Sequence, residues 1–596
     1  MLRVTPDSFD LAHEALRETY HGLGDDGESR LPLGVDRSLS RREVMARSLT
    51  GLAGVGIASA LIAPERAAAE GTALQINVAE YGTLGTSNDS ATFQAALNAA
   101  SSAGGATVVC PSGSYFVTNL RVKAGTKLWF PGVKLVNISP EGVETHCMTV
   151  VSSSSDVLVY GVEIDGSQGG VNTSGIIVEG VRNRVTGVYV HDTPQSCIFV
   201  SSPEAPSPVT SHITVDHCRT FNAGINGITV GSAAHNITQH ILIYSNHMKD
   251  SGHAGISYTG QRGAVINNVT EETLPINGAV ADSFTAYSNI ISDILCVGNS
   301  FYTSHNHGIH VAGNRLTIVG NEVIEPAQSG IYVVGHVEPE GVVPSADFLV
   351  AHNLINAPGV RIEGQGYGVY AERASGGVIA NNEINTPLTH GIVIGRCDTV
   401  SIMGNAVRAP QTGYGVEVNE SQRVAICGNT IYNAHLVGVQ IDDPASPAST
   451  DVAVTGNVIN GSGSGGVGGV GGMATRVAVA SNTITGNTGS AVSLNGAANK
   501  TAANFTDTSA TVVSAAMLSV SRDITFATIT GSTTITSLDS SVAETGRVLA
   551  LRFKDGCTIQ DGGNLILASN FVAPANGIIV LVCDGTNWYE TARSLA

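Results

Sequence analysis

The chain has 596 residues, of which 13% are charged and 70 are glycine, and its formal net charge at pH 7 is −19. Without residues 1–69 it keeps 22 basic and 39 acidic residues, so bulk charge argues against a body that binds nucleic acid or anionic membranes. The nine cysteines form no CxxC or Cys/His pattern, which predicts reduced core thiols and argues against a disulfide framework.

Residues 1–69 have the features of an export leader. Ser40-Arg-Arg-Glu-Val-Met45 precedes the apolar run Leu49–Ala63 and the small residues Ala67–Ala69. This order predicts a twin-arginine signal that is removed near Ala69, and therefore a periplasmic or secreted protein. The apolar run is too short for a membrane span.

The mature chain opens with one predicted helix. Asn88 or Asp89 can cap a helix over Ser90–Ser102, which the pair Gly104-Gly105 ends. The apolar residues of this helix fall on one side, where they could close the open end of a repeat structure; they are Phe93, Ala96, Leu97 and Ala100.

This opening segment resembles a known family. Tyr81-Gly82, the helix with Phe93-Gln-Ala-Ala-Leu97, Gly104-Gly105 and Pro111-Ser-Gly-Ser-Tyr115 are similar to the N-terminal cap of the pectate-lyase-like β-helix superfamily. That group contains polygalacturonases, pectin and alginate lyases, C5-epimerases and tailspike depolymerases. The resemblance covers residues 75–500 and implies a right-handed parallel β-helix that acts on polysaccharides. It implies no catalytic residues, because the superfamily shares a scaffold rather than an active site.

One pattern recurs from Ile290 to Ile484: apolar-x-apolar-x-x-Asn, a turn, then Gly-Ile/Val-x-Val. Asn299 and Asn321 are 22 residues apart, and Asn382, Asn405 and Asn429 follow one another at 23 and 24 residues, a period typical of a solenoid. Strands that recur in one direction with short corners cannot be hairpins. The sequence therefore predicts an all-β fold, a parallel β-helix over residues 70–504 with the helix as its N-terminal cap. The asparagines are predicted to stack as a structural ladder of inward amides; they are Asn299, Asn321, Asn353, Asn382, Asn405, Asn429, Asn457 and Asn482.

After residue 504 the asparagine pattern stops, and residues 505–596 read as a separate small β-rich domain. This region resembles the C-terminal β modules of tailspike-like proteins, which implies a homotrimer or contact with a glycan. Of the two tryptophans, Trp129 and Trp588, either could stack on a sugar, although a place in the core is the expected one.

Within Gly-Ile-x-Val, x and the residue after Val should point outward. Coils stack about 4.8 Å apart, so these residues should form one external stripe suited to a polysaccharide: aromatic rings for sugar faces, carboxylates and a histidine. The ordinary alternative is a solvated surface. The stripe comprises His310, Tyr332, Tyr370, Glu372, Glu417, Asn419 and Asp442.

A first candidate sub-site combines basic and aromatic residues of neighbouring coils. Such a cluster could abstract the C5 proton of a uronate and neutralise its carboxylate, as a lyase or epimerase requires. Histidines 305, 307 and 310 could also ligate a metal, but three imidazoles rarely converge from such a turn, so we expect none. The sequence predicts no cofactor; Ca²⁺ is compatible with the acidic chain, but no motif indicates it. The residues are Lys249, Asp250, His253, Tyr258, Arg262, His305, His307 and His310, with Tyr332 beyond them.

A second candidate sub-site is acidic and consists of Glu372, Glu417 and Asp442. Glu372 and Glu417 lie two coils apart, about 9–10 Å by strand spacing, near the upper end of the carboxylate gap of an inverting glycosidase. The sequence therefore favours an exported polysaccharide hydrolase. A lyase or C5-epimerase at the first sub-site and a glycan-binding adhesin without turnover remain alternatives.

Overall fold

The computed structural model describes residues 74–594 apart from 141–145, 203–208, 232–237, 274–280, 339–340, 361–365, 443–448, 464–465, 473, 488, 495–498, 503, 507–508 and 522–523. The predicted export leader and its predicted cleavage site lie outside the described residues. By backbone contacts the chain divides into two compact units, which we take one at a time. The first includes the described residues up to Ala327 and Val334–Leu354, and the second Gln328–Val333 and Ile355–Ala596.

The first unit opens with strand β1, a short 3-10 turn (Val78–Glu80) and the helix α1, which spans Ser90–Ser102 as the sequence predicts. The predicted apolar side of α1 is buried. In chain order its strands are β1 Gln75–Asn77, β2 Thr107–Val109, β3 Gly113–Val117, β4 Leu120–Val122, β5 Lys127–Trp129, β6 Val133–Asn137, β7 Met148–Val150, β8 Leu158–Tyr160, β9 Glu163–Asp165, β10 Ile176–Val178, β11 Arg184–Thr186, β12 Tyr189–Thr193, β13 Ile198–Val200, β14 Ser211–Asp216, β15 Arg219–Ala223, β16 Asn226–Val230, β17 Thr238–Tyr244, β18 His247–Ser251, β19 Ala254–Tyr258, β20 Gly260–Ile266, β21 Val269–Thr273, β22 Asp282–Val297, β23 Ser300–Ser304, β24 Ile309–Val319 and β25 Glu322–Ile324.

The division between the units crosses β26 (Ile331–Val334) and β30 (Leu354–Asn356); the hairpin β27 His336–Glu338 with β28 Gly341–Val343 and the strand β29 Ser345–Ala351 belong to the first unit. The second unit continues with β31 Val369–Glu372, β32 Ala374–Ala380, β33 Glu383–Asn385, β34 Ile392–Gly395, β35 Asp398–Met403, β36 Ala406–Arg408, β37 Val416–Asn419, β38 Gln422–Cys427, β39 Thr430–Tyr432, β40 Val439–Ile441, β41 Thr450–Thr455, β42 Val458–Asn460, β43 Gly466–Gly472, β44 Thr475–Ala480, β45 Thr483–Thr485, β46 Gly489–Leu494, β47 Lys500–Ala502 and β48 Phe505–Thr506.

Within each unit, strands up to β48 pair in parallel with the equivalent strand of the next coil, apart from the antiparallel hairpin of β27 and β28. In the second unit β31 pairs with β34 and β34 with β37, while β32, β35 and β38 form another face and β33, β36 and β39 a third. The predicted alternation holds along these strands. Ile392 and Ile394 point inward and are fully buried, and each such side chain stabilises the stack by roughly 1.5–3 kcal/mol.

The glycine that opens each Gly-Ile/Val-x-Val segment has a packing reason. A Cβ on Gly391 would collide with the inward side chain of Val407 and with the carbonyl oxygen of Gly415 in the next coil. At Gly415 the corresponding obstacles are Ile431 and Gly438. The repeat therefore requires glycine where the chain passes close to the stacked core of the third face.

The asparagine ladder is confirmed. In the second unit the side-chain Oδ1 of Asn405 accepts the backbone N–H of Asn382, and its Nδ2 donates to Asn429 Oδ1 and to the carbonyl of Ile379. The same pattern extends beyond the predicted members, to Asn246 and Asn268 in the first unit and to Asn504 in the second. These amides satisfy backbone groups that the corners would otherwise leave unpaired.

The last strands of the second unit are β49 Ser509–Val513, β50 Met517–Leu518, β51 Phe526–Thr530, β52 Ser537–Leu538, β53 Val548–Phe553, β54 Cys557–Ile559, β55 Leu565–Ile566, β56 Phe571–Ala573, β57 Ile578–Cys583 and β58 Trp588–Ser594, with a 3-10 turn at Ser540–Val542. Their apolar side chains form a core cluster between Leu518 and Trp588. Trp588 is fully buried in it, whereas Trp129 is exposed and stacked on Tyr160. All nine cysteines are free thiols.

Candidate functional site

The outer face of β31, β34 and β37 carries the acidic sub-site. Tyr370 pairs with Val393, and Val393 pairs with Glu417, so these three residues form one column across three coils. Tyr370 and Glu417 are partly exposed, as an outward position requires. Burial, reinforced by the charge of Glu372, raises the pKa of the Tyr370 hydroxyl, so Tyr370 remains a neutral hydroxyl at pH 7.

A second column runs beside the first. Glu372 pairs with Gly395, which in turn pairs with Asn419. Arg396 follows Gly395, and Glu420 follows Asn419. These two residues have left-handed φ values of 54° and 48° and turn the chain off this face. These corners hold the side chains of Arg396 and Glu420 at the rim of the outer face.

Glu372 sits among charged and hydroxyl groups. Its Oε2 accepts a hydrogen bond of 2.9 Å from the hydroxyl of Tyr332, and its Oε1 lies 3.0 Å from Nη1 of Arg396 and 3.8 Å from Nε of Arg373. Arg396 also binds Glu420 at 3.1 Å. Glu372 is thus a carboxylate with a fixed position and a cationic neighbour.

Glu417 has a different neighbour. Its Oε2 lies 3.5 Å from Nε2 of His390, whose Nδ1 accepts the backbone N–H of Tyr414 at 2.9 Å. Because Nδ1 accepts, the proton of the neutral imidazole is on Nε2, directed to Glu417. Burial lowers the pKa of His390 to about 4, so this partner is uncharged at pH 7.

The two glutamates are staggered. Glu417 shares a register position with Tyr370 rather than with Glu372, so it is displaced by two residues along the strand as well as by two coils. Their Cα atoms are therefore about 12 Å apart by strand geometry. The spacing of 9–10 Å expected from the sequence is wrong because it counts coils and omits the offset along the strand.

Asp442 is not part of this surface, and its predicted place in the sub-site is wrong. It is 0% exposed and accepts hydrogen bonds from the backbone N–H of Glu420 and from the backbone and hydroxyl of Ser449. The strand β40 ends at Ile441, and Asp442 has a left-handed φ of 53°. This early corner turns its carboxylate inward, where it ties down the chain around residues 420 and 449.

The aromatic rings of the face stack on one another. Tyr332 lies parallel to Tyr370, with centroids 4.9 Å apart. His390 lies between Tyr367 and Tyr414 at 5.4 and 5.0 Å, with interplanar angles of 13° and 14°. Both faces of the His390 ring are covered, so this ring has no free face on which a sugar could stack.

Sequence reasoning missed this second aromatic column. Tyr367, His390 and Tyr414 each immediately precede a glycine that is followed by Val or Ile at the start of the next strand. Aligning the repeats on that glycine would have placed the three rings in one column, because equivalent positions stack from coil to coil.

In the first unit the structure reveals a buried partner for His310. Asp282 Oδ2 lies 3.2 Å from Nδ1 of His310, and its Oδ1 accepts from the backbone of His307 and from Nδ2 of Asn306. Burial raises the pKa of Asp282, but the hydrogen bond from His310 and the nearby imidazoles outweigh it, so its pKa is lowered overall. Burial lowers the pKa of His307 to about 4. Sequence reasoning missed Asp282, which opens the long strand β22.

Tyr287 covers this pair on its outer side. Its ring centroid lies 5.0 Å from His310 and 4.7 Å from His336 of the hairpin β27–β28. Tyr287 is 37% exposed, whereas Nε2 of His310 is shielded from solvent. The Asp282–His310 pair thus faces outward, and the ring of Tyr287 lies over it.

Of the other predicted members of this sub-site, Lys249 and Arg262 lie on other strands, whereas the backbone carbonyl of His253 accepts the N–H of Asp282 in the next coil at 3.0 Å. Lys249 belongs to β18, whose sheet neighbours are β15 and β21, and pairs with Glu272 at 3.5 Å. Burial and the charge of Glu272 raise the pKa of its neighbour Asp250. Arg262 is exposed on β20, and Nδ1 of His253 contacts Asn226 at 3.2 Å.

Tyr258 is wrong as a substrate-binding residue. It is 0% exposed because it shares the inward side of β19 with Ile256, two residues away along a strand of period two. Its hydroxyl fills the space over Gly263, where a Cβ could not fit. Burial accordingly raises the pKa of Tyr258.

One possible cation-binding group occurs in the part of the chain that the structure describes. Ligand atoms of Asp165, His191 and Asp192 lie within 4.8 Å of one another. Nζ of Lys134 is 2.8 Å from Asp165, so an ammonium already neutralises this carboxylate. The three histidines named from the sequence are not among the described groups with metal-ligand spacing.

Comparison with known proteins completes the description. Residues 348–507 match the family model of the right handed beta helix region. The solenoid is a right-handed parallel β-helix. This confirms the fold that the repeats and the cap predict. A comparison with curated proteins found no match.

Several solved β-helix structures are similar at low identity. The surface adhesin PfbA of Streptococcus pneumoniae matches at 15% identity and a TM-score of 0.38, covering 61% of this chain and 92% of its own. The exopolygalacturonase of Thermotoga maritima matches at 11% and 0.39, covering 56% and 87%. The tailspike of Escherichia coli bacteriophage HK620, solved with a pentasaccharide, matches at 11% and 0.43, covering 72% and 80%. In the described residues, no helix is both long and apolar enough to span a membrane.

Proposed function

We propose that this β-helix is an exported glycoside hydrolase that cleaves a weakly charged polysaccharide on the outer face of its second unit. The observation that carries the proposal is a pair of outward glutamates in unlike surroundings, Glu372 beside Arg396 and Glu417 beside a neutral imidazole. Glycosidases that work by acid–base catalysis use two carboxyl groups in different environments.

The roles follow from these neighbours. Glu372, held by Tyr332 and Arg396, takes a proton from water as the oxygen of that water attacks the anomeric carbon. Glu417 gives a proton to the glycosidic oxygen as its bond to that carbon breaks. The Cα atoms of the pair stand about 12 Å apart by strand geometry, so the two side chains must lean toward each other to reach the carboxyl gap of roughly 6.5–9.5 Å that holds the water in an inverting glycosidase. We expect inversion at the anomeric carbon, because a retaining pair stands closer, at about 5–5.5 Å.

The test is hydrolysis of a glycan panel followed by NMR of the newly released anomer. We expect Glu417→Gln and Glu372→Gln each to lower kcat by roughly 10²–10⁴-fold. Glu383→Gln is the matched control, since Glu383 is an exposed glutamate of the same unit that pairs with an arginine, Arg408. Equal activity of all three variants, or a product that keeps the anomeric configuration of the substrate, would contradict the proposal.

A second candidate is proton abstraction next to a uronate carboxylate by the Asp282–His310 pair, as in a lyase or C5-epimerase. The buried carboxylate keeps the Nδ1 proton on His310 and leaves Nε2 basic. This lyase or epimerase candidate ranks second because Nε2 of His310 is shielded from solvent, and because Lys249 and Arg262 lie on other strands. The second candidate would be favoured if the wild type formed unsaturated products or inverted C5, and if this activity were lost in His310→Gln but kept in Glu417→Gln.

Glycan binding with no product of either kind would identify an adhesin. That outcome is distinguishable from both enzymes, since binding would then survive Glu417→Gln and His310→Gln alike without any change in the polymer.

A further inference from the structure

On the surface of the first unit, a buried carboxylate holds the exposed imidazole of His217. Nδ1 of His217 lies 2.7 Å from Oδ2 of Asp216, and the side chain of His217 is 59% exposed whereas that of Asp216 is 2% exposed. Burial raises the pKa of Asp216, but the hydrogen bonds from Arg184 and His217 outweigh it, so this pKa is lowered overall. The ionised carboxylate therefore keeps the proton of the neutral imidazole on Nδ1 and leaves the lone pair of Nε2 able to accept a proton.

Two polar residues stand at the same corner in the next two coils. Strands β14, β17 and β20 pair in register and end at the same level, and the residues that directly follow them are His217, Ser245 and Asn267. All three have a left-handed φ of 53°, and the backbone N–H of each donates to a carbonyl of the next coil at 3.0–3.2 Å. Because the three backbones turn alike, their side chains leave the corner side by side, about 4.8 Å apart from coil to coil.

The order of these side chains suits acyl transfer. The hydroxyl of Ser245 stands between the imidazole of His217 and the amide of Asn267. The ring of His217 leans toward the coil of Ser245, since its centroid is 5.6 Å from that of Tyr244 in an edge contact. A serine nucleophile requires a base for its proton and a donor for the developing oxyanion. Ser245 and His217 are not hydrogen-bonded to each other here, and such pairs often tighten only when a substrate binds.

From this geometry we propose that His217, Ser245 and Asn267 form a second active site, which hydrolyses a carboxylic ester. Nε2 of His217 takes the proton of the Ser245 hydroxyl as the hydroxyl oxygen bonds to the ester carbonyl carbon, and Asn267 donates to the carbonyl oxygen. The bond from that carbon to the alcohol oxygen then breaks, and His217 gives its proton to the alcohol. Water next attacks the acyl-serine and gives one proton to Nε2, which passes it to Ser245 Oγ as the acid leaves.

The position of the site indicates the class of ester. Asn267 and His217 are exposed and Ser245 is partly exposed, so the ester must project from its alcohol, as a short acyl group on a polymer does. The proposal does not rest on the proposed hydrolase, because Glu372 and Glu417 belong to the second unit and this corner to the first.

The experiment treats the chain from residue 70 onward with a fluorophosphonate, which bonds covalently to activated serine hydroxyls, and locates the label by peptide mass spectrometry. Hydrolysis of p-nitrophenyl acetate is followed in parallel. We expect the label on Ser245, and loss of label and of ester hydrolysis in Ser245→Ala. His217→Gln should slow both reactions roughly 10²–10⁴-fold, and Asn267→Ala should slow ester hydrolysis roughly 10²–10³-fold.

Ser481→Ala is the matched control. Ser481 follows β44 at the equivalent corner of the second unit with a left-handed φ of 56°, but its neighbour in the preceding coil is Gly456, where Ser245 has His217. This variant should keep the labelling and the hydrolysis of wild type. An unlabelled Ser245 in a chain folded by circular dichroism, equal labelling of wild type and His217→Gln, or labelling of Ser481 as fast as that of Ser245 would refute the proposal.

Discussion

At the scale of single residues, the inward asparagines are side chains that each make several hydrogen bonds in the fold. Each amide bonds both the backbone and the amide of a neighbouring coil, so it replaces hydrogen bonds that a corner cannot make with itself. This explains why asparagine recurs where an apolar residue would pack equally well by volume.

Asn405→Ala should destabilise the protein by about 3 kcal/mol. It leaves the N–H of Asn382 and the carbonyl of Ile379 without the bonds that Asn405 supplies. The measurement is the free energy of unfolding in urea. Asn98→Ala, on the exposed side of α1, is the control and should change it by less than about 0.5 kcal/mol. Similar effects of the two variants would contradict a structural ladder.

His390 should make stability depend on pH. Its pKa in the folded protein is about 4, below the ordinary 6.5, so between these values the unfolded chain holds more protons. Its contribution is fully present above pH 6.5 and is lost as the pH falls to 4, by about 3 kcal/mol. His307 in the first unit acts in the same direction.

Calorimetry across this pH range checks the effect. Tm should fall steadily from pH 6.5 to 4 in wild type and less steeply in His390→Gln, whose amide can still accept the N–H of Tyr414. The exposed His435→Gln should keep the wild-type slope. Parallel curves for wild type and His390→Gln would show that this imidazole is not held neutral.

At the scale of elements, the coil is the unit of both stability and site construction. Each strand pairs with the equivalent strands one coil away, and side chains contact the next coil, as Tyr332 of β26 does Glu372 of β31. Stability should then be nearly a sum of coil and interface terms.

Deleting residues 452–476 should give a folded, active protein of lower Tm. The deletion removes one coil in register, since Val452 and Val477 are paired positions in neighbouring coils, and Asn482 would take the ladder place of Asn457. Deleting only residues 452–463 puts the remaining strands out of register and should abolish folding. Circular dichroism and hydrolysis assays distinguish the two; equal damage would contradict a modular solenoid.

At the scale of the whole molecule, the export leader predicted over residues 1–69 leads us to expect that the protein works outside the cytoplasm. Arg41→Lys with Arg42→Lys should retain the full-length protein in the cytoplasm, because the twin arginines are the recognised feature of such signals. Cell fractionation with N-terminal sequencing of the exported form checks both the route and cleavage near Ala69. Export of the double variant at the wild-type level would contradict the prediction.

The predicted homotrimer through residues 505–596 is a property of the same scale. Light scattering of the mature chain should give three times the monomer mass, and removal of residues 505–596 should return the monomer mass. A monomeric mature chain would contradict it.

The sequence by itself determined the fold, because periodicity is enough to say which residues stack. The asparagine ladder, the repeated glycines and most outward positions follow from a period near 23 and the alternation of strands. The position of α1 follows from its capping residues and the pair Gly104-Gly105. The sequence also supplied Glu372, Glu417 and His310 as outward residues that can carry chemistry.

The tertiary structure alone decided which of those residues meet. It displaced Glu417 from Glu372 along the strand, turned Asp442 inward at an early corner, buried Tyr258 and placed Lys249 and Arg262 away from His310. It also supplied Asp282 and His390 as the partners of His310 and Glu417. The reason is physical: a repeat fixes which positions lie above one another, whereas corner dihedrals, insertion lengths and side-chain rotamers do not repeat, and these determine what each outward side chain contacts.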